Sequence, residues 1–250
     1  DSERSRGLGD VYKRQLPFIA PDYSSAWLLK DVQMGYLQEK FAKKGLMILY
    51  TSPWPGQGFY TKSPVNGVAD FKGKKLRIYS TATQQMGSML GFNATILPFA
   101  EIPQAFSTGL IEALFTSPQT GIDIQAWDNT KHFTYAGAIF SKNAVVVSKK
   151  AFNALSKDDQ SNILAAAKKA ELRGWEMSAE TTKKQIDILK KNGMSAKNAP
   201  DEVISKMKSI GLEMMKSWRS KASPEANAVL DRYLSMLSLI HISEPTRPLR

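Results

Sequence analysis

Residues 69–121 read ADFKGKKLRIYSTATQQMGSMLGFNATILPFAEIPQAFSTGLIEALFTSPQTG, and this stretch decides the fold. Residues 74–79 alternate as a short strand, with Arg77 near its C-terminal end. Residues 81–90 predict a helix that Gly91 can end in the left-handed conformation. A second strand follows at residues 95–97. Pro98 and Phe99 then lead into an amphipathic helix over residues 100–108, stopped by Gly109. Residues 111–115 form a third apolar strand, broken by Thr116-Ser117-Pro118. Successive strands joined by short helices predict a parallel α/β sheet, whose ligands sit off the carboxyl ends of the strands. Arg77, Phe99, Thr116 and Ser117 all fall at or just past such ends. The pattern predicts a small-molecule cleft with an arginine in it.

Upstream, residues 16–45 open with a short apolar piece and continue as a helix with Asp22 as N-cap, ended by Gly45. LMILYTS (46–52) is a buried strand. SPWPGQGFYTKSP (52–64) carries the densest Pro/Gly punctuation in the chain and holds Trp54 and Gln57. Downstream, GIDIQAWDNTKHF predicts a short helix, and TYAGAIF leads to the strand NAVVVS. Asn143 either points toward the cleft or caps a turn. Ser156-Lys157-Asp158-Asp159 resembles a capping box and opens a helix reaching about Asn192. Its apolar face is Ile163, Leu164, Ala167, Ala170, Leu172 and Trp175, and Gly174 invites a bend. Gly193 stops that helix. MSAKNA then reads as an edge strand, and residues 201–222 and 224–237 as closing helices.

The 250 residues, 42% of them hydrophobic, suffice for a core in one domain or two lobes. The chain has no cysteine, which rules out disulfides and thiolate chemistry. Its formal charge of +11 raises nucleic acid as a partner. The lysines are scattered along helices, however, and no arginine-rich arm accompanies them, so a solvated surface explains the charge. Salt-sensitive retention on DNA would speak for the other reading. No apolar run is long enough to span a bilayer and no signal peptide is evident. Residues 1–15 and 238–250 resemble translated sequencing-adapter read-through, and both segments are expected to stand outside the fold.

Enzyme chemistry finds little support. His132 and His241 are the two histidines, and no HExxH, Walker A, G-x-S-x-G or G-x-G-x-x-G occurs. Glu101 and Glu112 are explained by helix ends or solvent. No metal site, cofactor or acid/base pair is expected.

The combination of ADFKGKKLRIYS with LGFNATILPFAEIPQAFSTGLIEALFTS resembles the substrate-binding proteins of TRAP transporters, the DctP family. The resemblance covers residues 16–237. It implies a two-lobed, type II-like periplasmic-binding-protein fold of α/β class, with a long helix spanning both lobes. Lobe I would comprise residues 16–53 and 142–181, and lobe II residues 54–141 and 182–237. Lobe I would be incomplete, because the family's first two strand–helix units have no counterpart here. The chain thus reads as a fragment that would not bind ligand by itself. The implied protein is a monomeric periplasmic receptor that closes on a small organic acid and delivers it to sodium-coupled membrane subunits. A sensor ectodomain, or a non-transport enzyme on the same scaffold, is the alternative.

In the family, the arginine of the K-[IL]-R motif grips the ligand carboxylate, which places Arg77 in that role. A guanidinium forks onto a carboxylate in a way that an ammonium cannot. The competing reading pairs Arg77 with a protein carboxylate such as Asp70. Phe99 matches a ring that packs on ligand in some members, against an alternative of plain core packing. Trp54 and Gln57 lie where the chain crosses between lobes, and Gln57 stands where many members carry a second arginine. Thr116, followed by Ser117, stands where many carry Asn or Trp. The acidic residue by which some members hold a cation is Phe115 here. With no second cation at these positions, the expected ligand is an acid with one carboxylate or sulfonate and a modest, partly apolar body, such as a 2-oxo, hydroxy or small aromatic acid.

Overall fold

The computed structural model describes residues 16–243. Asp22 accepts a hydrogen bond from the Ser25 amide at 2.8 Å and starts α1 (Tyr23–Ala42), and β1 (Leu46–Pro53) follows. The chain then crosses to β2 (Gly58–Thr61). The deciding stretch supplies β3 (Lys75–Ile78), α2 (Thr81–Met89), β4 (Asn93–Ile96), α3 (Ile102–Ser107) and β5 (Ala113–Thr116). Gly91 and Gly109 take left-handed backbone, with φ of +95° and +69°, which lets each turn back into the next strand at little steric cost. The helix expected over residues 100–108 is split: a 3₁₀ turn at Phe99–Glu101 precedes α3, because Pro103 lacks the amide a continuous α-helix would use.

After β5 come α4 (Pro118–Asp123), β6 (His132–Tyr135), β7 (Lys142–Ser148), α5 (Lys149–Asn153) and the long α6 (Lys157–Lys191). The chain ends on β8 (Ser195–Asn198), α7 (Asp201–Arg219) and α8 (Pro224–Ser243). Residues 238–243, expected to stand outside the fold, instead continue α8. Residues 1–15 and 244–250, the rest of the adapter-like segments, lie outside the described residues.

Six strands form one sheet in the order β4-β3-β5-β2-β6-β8, and β1 pairs with β7 in a second, two-stranded sheet. The expected parallel arrangement holds for β3 with β4 and β5. It fails next to them: β2 enters from the crossing segment in the opposite sense and lies antiparallel to both β5 and β6. The sheet is therefore mixed. MSAKNA supplies the edge, as β8 beside β6.

Alternation on these strands builds two cores. Phe59 of β2 packs in one, with ring centroids 4.8 Å from Phe71 and 4.9 Å from Phe115. Tyr60, the next residue, packs in the other, 4.5 Å from Phe133 and together with Ile102 and Leu114. Burying each such ring is worth roughly 1.5–3 kcal/mol. Leu76 and Ile78 of β3 belong to the first core, so Arg77 between them emerges on the opposite face of the sheet.

Helix α6 ties the sheets together by packing on β1, α4 and β8. Trp175 sits in a core with α1, edge-on to Trp27 at 4.9 Å, while Leu189 lies about four turns on in the core of Tyr60. The expected apolar face is only partly used: Leu164 and Leu172 are 47% and 46% exposed. Gly174 does not interrupt the helix. A Cβ there would stand 3.0 Å from Ser52 Oγ, so the glycine serves a close approach to β1 rather than a break. Three elements meet at Glu171, whose carboxylate accepts from Thr51 N (2.9 Å), Thr51 Oγ1 (2.8 Å) and the buried Lys30 Nζ (3.2 Å). Helix α8, expected to close the second lobe with α7, packs on α1: Leu230 and Tyr233 share a core with Ala26 and Leu29.

Candidate functional site

Arg77 stands next to last in β3 and is only 4% exposed. Its Nε donates to Leu97 O at 3.0 Å. Among the described residues, no carboxylate forms an ion pair with it. Asp70, the alternative partner, instead accepts from the Asn66 and Gly67 amides at 2.7 and 3.3 Å. Burial lowers the guanidinium pKa to about 10, against an opposing pull from the Tyr79 phenol. The group thus remains a cation at neutral pH, short of a counter-charge.

A cavity of about 260 Å³ opens in front of it, and all six residues singled out from the sequence line its wall: Arg77, Trp54, Gln57, Phe99, Thr116 and Ser117. They come from four places in the chain. Arg77 and Thr116 stand at the carboxyl ends of neighbouring strands, next to last and last, while Ser117 caps α4, accepting from the Thr120 amide at 3.2 Å. Phe99, on its 3₁₀ turn, is 51% exposed, so it belongs to the cavity rim and not to the core. Trp54 and Gln57 come from the crossing segment, where the Trp54 amide is held by Ser141 O at 2.7 Å.

Gln57 is the most constrained of these side chains. Tyr79 Oη donates to its Oε1 at 2.7 Å, and its Nε2 donates to Ser141 Oγ at 3.0 Å. Its amide thereby bridges the end of β3 and the approach to β7. The same wall holds Thr120, Asn143 and Lys142. Asn143 lines the cavity, as one of its two sequence readings had it. Lys142 was missed. It is 4% exposed and supplies a second cation beside the one arginine, from a position the sequence reading had not considered. The available signal was its place at the start of a strand: Lys142 pairs with Pro53, the last residue before the crossing segment. Tyr79, which also lines the cavity, follows directly after the last residue of β3 and was legible from its nearness to Arg77 in sequence.

The lining contains no Asp, Glu or His. Among the described residues, no group of three or more His, Cys, Asp or Glu could hold a metal ion, and no helix is long and apolar enough to cross a membrane. Two buried cations amid hydroxyls, amides and flat rings can bind an anion.

Residues 10–221 match the model of the bacterial extracellular solute-binding proteins, family 7. The chain belongs to this family. As a family 7 protein, the DctP group of TRAP solute-binding proteins, it is most informatively compared with solved relatives. It is 38% identical to DctP7, a Bordetella pertussis extracytoplasmic solute receptor binding pyroglutamic acid, covering 87% of this chain and 72% of that one with a TM-score of 0.85. It is 31% identical to a marine metagenome TRAP solute-binding protein in complex with co-purified pyroglutamate, covering 94% and 77% with a TM-score of 0.87. Among curated relatives, the C4-dicarboxylate-binding periplasmic protein DctP of Rhodobacter capsulatus is 25% identical over 192 residues, 75% of this chain and 57% of that protein. A solute-binding protein of Chromohalobacter salexigens is 26% identical over 180 residues and covered to 53%. The chain thus spans little more than half the length of these curated relatives. These relatives are binding proteins, in keeping with a family of receptors rather than enzymes.

Proposed function

We propose that the full-length protein is a periplasmic receptor that closes around a small organic acid and delivers it to the sodium-coupled membrane subunits of a TRAP transporter. The observation that carries this reading is Arg77: a buried guanidinium, without a protein carboxylate among the described residues, facing a cavity at the carboxyl ends of β3 and β5. Burying a charge in this way is costly, and a ligand carboxylate gripped by the fork compensates it.

The acid we assign is a small monocarboxylate of the pyroglutamate class. Two relatives at 31% and 38% identity bind pyroglutamate, and the cavity of about 260 Å³ suits a small ring. Phe99 and Trp54 would flank the ring, while Thr116, Ser117 and Asn143 offer hydrogen bonds to a lactam N–H and C=O. This refines the expectation of an oxo, hydroxy or aromatic acid. Because Lys142 stands in the wall, the preference for one carboxylate rests on these relatives and on cavity size, not on a lack of cations. The deciding experiment is calorimetry on the full-length protein with pyroglutamate, succinate and a hexuronate, joined to mass spectrometry of co-purified ligand. Pyroglutamate is expected to bind at least tenfold tighter than the others. A preference for the dicarboxylate or the sugar acid would overturn the ligand class while leaving the role of Arg77 open.

A further inference from the structure

A second cavity, about 320 Å³, lies on the far side of Trp54, between the end of β1 and the long helix α6. Trp54 and Asn143 line both cavities, so the indole is a shared wall and the Asn143 amide is reachable from either side. The linings differ in kind. The first holds two cations, whereas every residue lining the second is uncharged: apolar Pro53 and Met177 stand beside polar Gln119, Ser178, Thr181 and Gln185. Gln185 is 8% exposed. Its Nε2 donates to Gln119 Oε1 at 2.9 Å and Thr181 Oγ1 at 3.3 Å, yet its Oε1 has no partner among the described residues. A buried amide oxygen without a partner is costly, and a ligand donor that meets it on a small turn of the Gln185 side chain would satisfy it. No charge in the wall would repay a second carboxylate, but amide groups there can serve a neutral donor.

We propose that this cavity is an accessory subsite for an uncharged, hydrogen-bonding arm of an acid whose carboxylate is held at Arg77. The arm passes beside the Trp54 indole, over Asn143, and meets the amides of Gln119 and Gln185. Each cavity alone is small, at or near the lower end of the roughly 300–1,000 Å³ usual for ligand sites; joined across Trp54 they accommodate a longer ligand. The proposal rests on the anchoring of an acid at Arg77, and it adds an upper limit and a charge rule for what extends from that anchor.

The test compares three probes by calorimetry on the full-length protein: pyroglutamate, N-acetylglutamine and N-acetylglutamate. The last two differ by one neutral amide against one carboxylate. N-acetylglutamine is expected to bind at least tenfold tighter than N-acetylglutamate. Met177→Trp, which fills the second cavity from its exposed rim, is expected to weaken N-acetylglutamine at least tenfold while pyroglutamate stays within twofold. Gln185→Leu should do the same to a smaller degree, and retained pyroglutamate binding shows that either variant is folded. Wild-type protein that takes pyroglutamate but not N-acetylglutamine overturns the subsite. So does Met177→Trp if it changes neither ligand or both equally, or if the charged arm binds as well as the neutral one. Failure of all three acids on wild-type protein would strike the anchor at Arg77, and the subsite with it.

Discussion

Arg77 is the residue on which the binding reading stands. Its place between Leu76 and Ile78 means that strand alternation alone turns it away from the core that holds its neighbours. Among the described residues one hydrogen bond, from Nε to Leu97 O, fixes the fork in direction, and the terminal nitrogens can meet a ligand. Arg77→Ala is expected to remove about 2–5 kcal/mol of acid affinity, the range for truncating one side of a desolvated charge pair. Arg77→Lys should restore only part, because the ammonium lacks the planar fork. Calorimetry giving a wild-type dissociation constant for Arg77→Ala would remove the assignment. Burial holds the guanidinium at a pKa of about 10, so the protonated, binding form is full at neutral pH and is lost as pH rises through that value. Affinity should accordingly be flat from roughly pH 6 to 8 and fall in the alkaline limb.

At the scale of elements, the cavity wall depends on how α4 is seated under β2. Tyr60 of β2 is fully buried and donates to Ser117 O at 3.1 Å, and a Cβ added at Gly121 would overlap its phenol ring. Gly121→Ala must therefore push Tyr60 away from the residue that lines the site. A loss of about 2 kcal/mol of stability, the ordinary scale for overpacking, is expected by chemical denaturation, together with weaker acid binding. An unchanged midpoint would show that α4 shifts freely. The deciding stretch was readable because its signals are local: Gly91 and Gly109 end turns, and Leu76, Ile78, Leu114 and Phe115 report strand faces. The antiparallel insertion of β2 was not readable, since GFYT carries no mark of which neighbours it will pair. Asn143 remained ambiguous and Lys142 was overlooked for a related reason. Their nearness to Arg77 is a consequence of β7 pairing with β1, a contact some ninety residues apart in sequence that no local pattern reports. The apolar spacing of Leu164 and Leu172 misled in the opposite direction: helical period identifies a stripe, but not whether another element covers it.

For the whole molecule, α6 and the two crossing segments, residues 54–57 and 136–141, connect the two sheets, while Ile19 and Met215 pack between the first core and that of α1. Glu171 fastens that connection by joining α6 to β1 through Thr51 and to α1 through Lys30. Burial pushes its pKa up, but the two Thr51 bonds and the Lys30 charge outweigh it, and the net position is below the usual glutamate value. A carboxylate held low adds stability above its unfolded pKa and loses it as pH falls through the folded one. Glu171→Gln is thus expected to cost about 2 kcal/mol near neutrality and to flatten the acid limb of a melting-temperature profile, since Lys30 then keeps the exposed Asp31 as its one carboxylate among the described residues, beside the Trp27 ring. The same connection bears on ligand uptake. Arg77, Phe99 and Thr116 reach the cavity from the six-stranded sheet, whereas Lys142 and Asn143 reach it from β7 of the two-stranded one. An acid touching both sets favours arrangements in which the two sheets approach, and it can shift the population only by its preference for that closed form. We expect hinge closure about the crossing segments and α6. Small-angle scattering of the full-length protein should show a smaller radius of gyration with saturating acid than without. The Arg77→Ala variant should show no such change at the same acid concentration. Superimposable curves for wild-type protein, measured where calorimetry shows saturation, would mean that the site is preformed and that α6 acts as a strut and not a hinge.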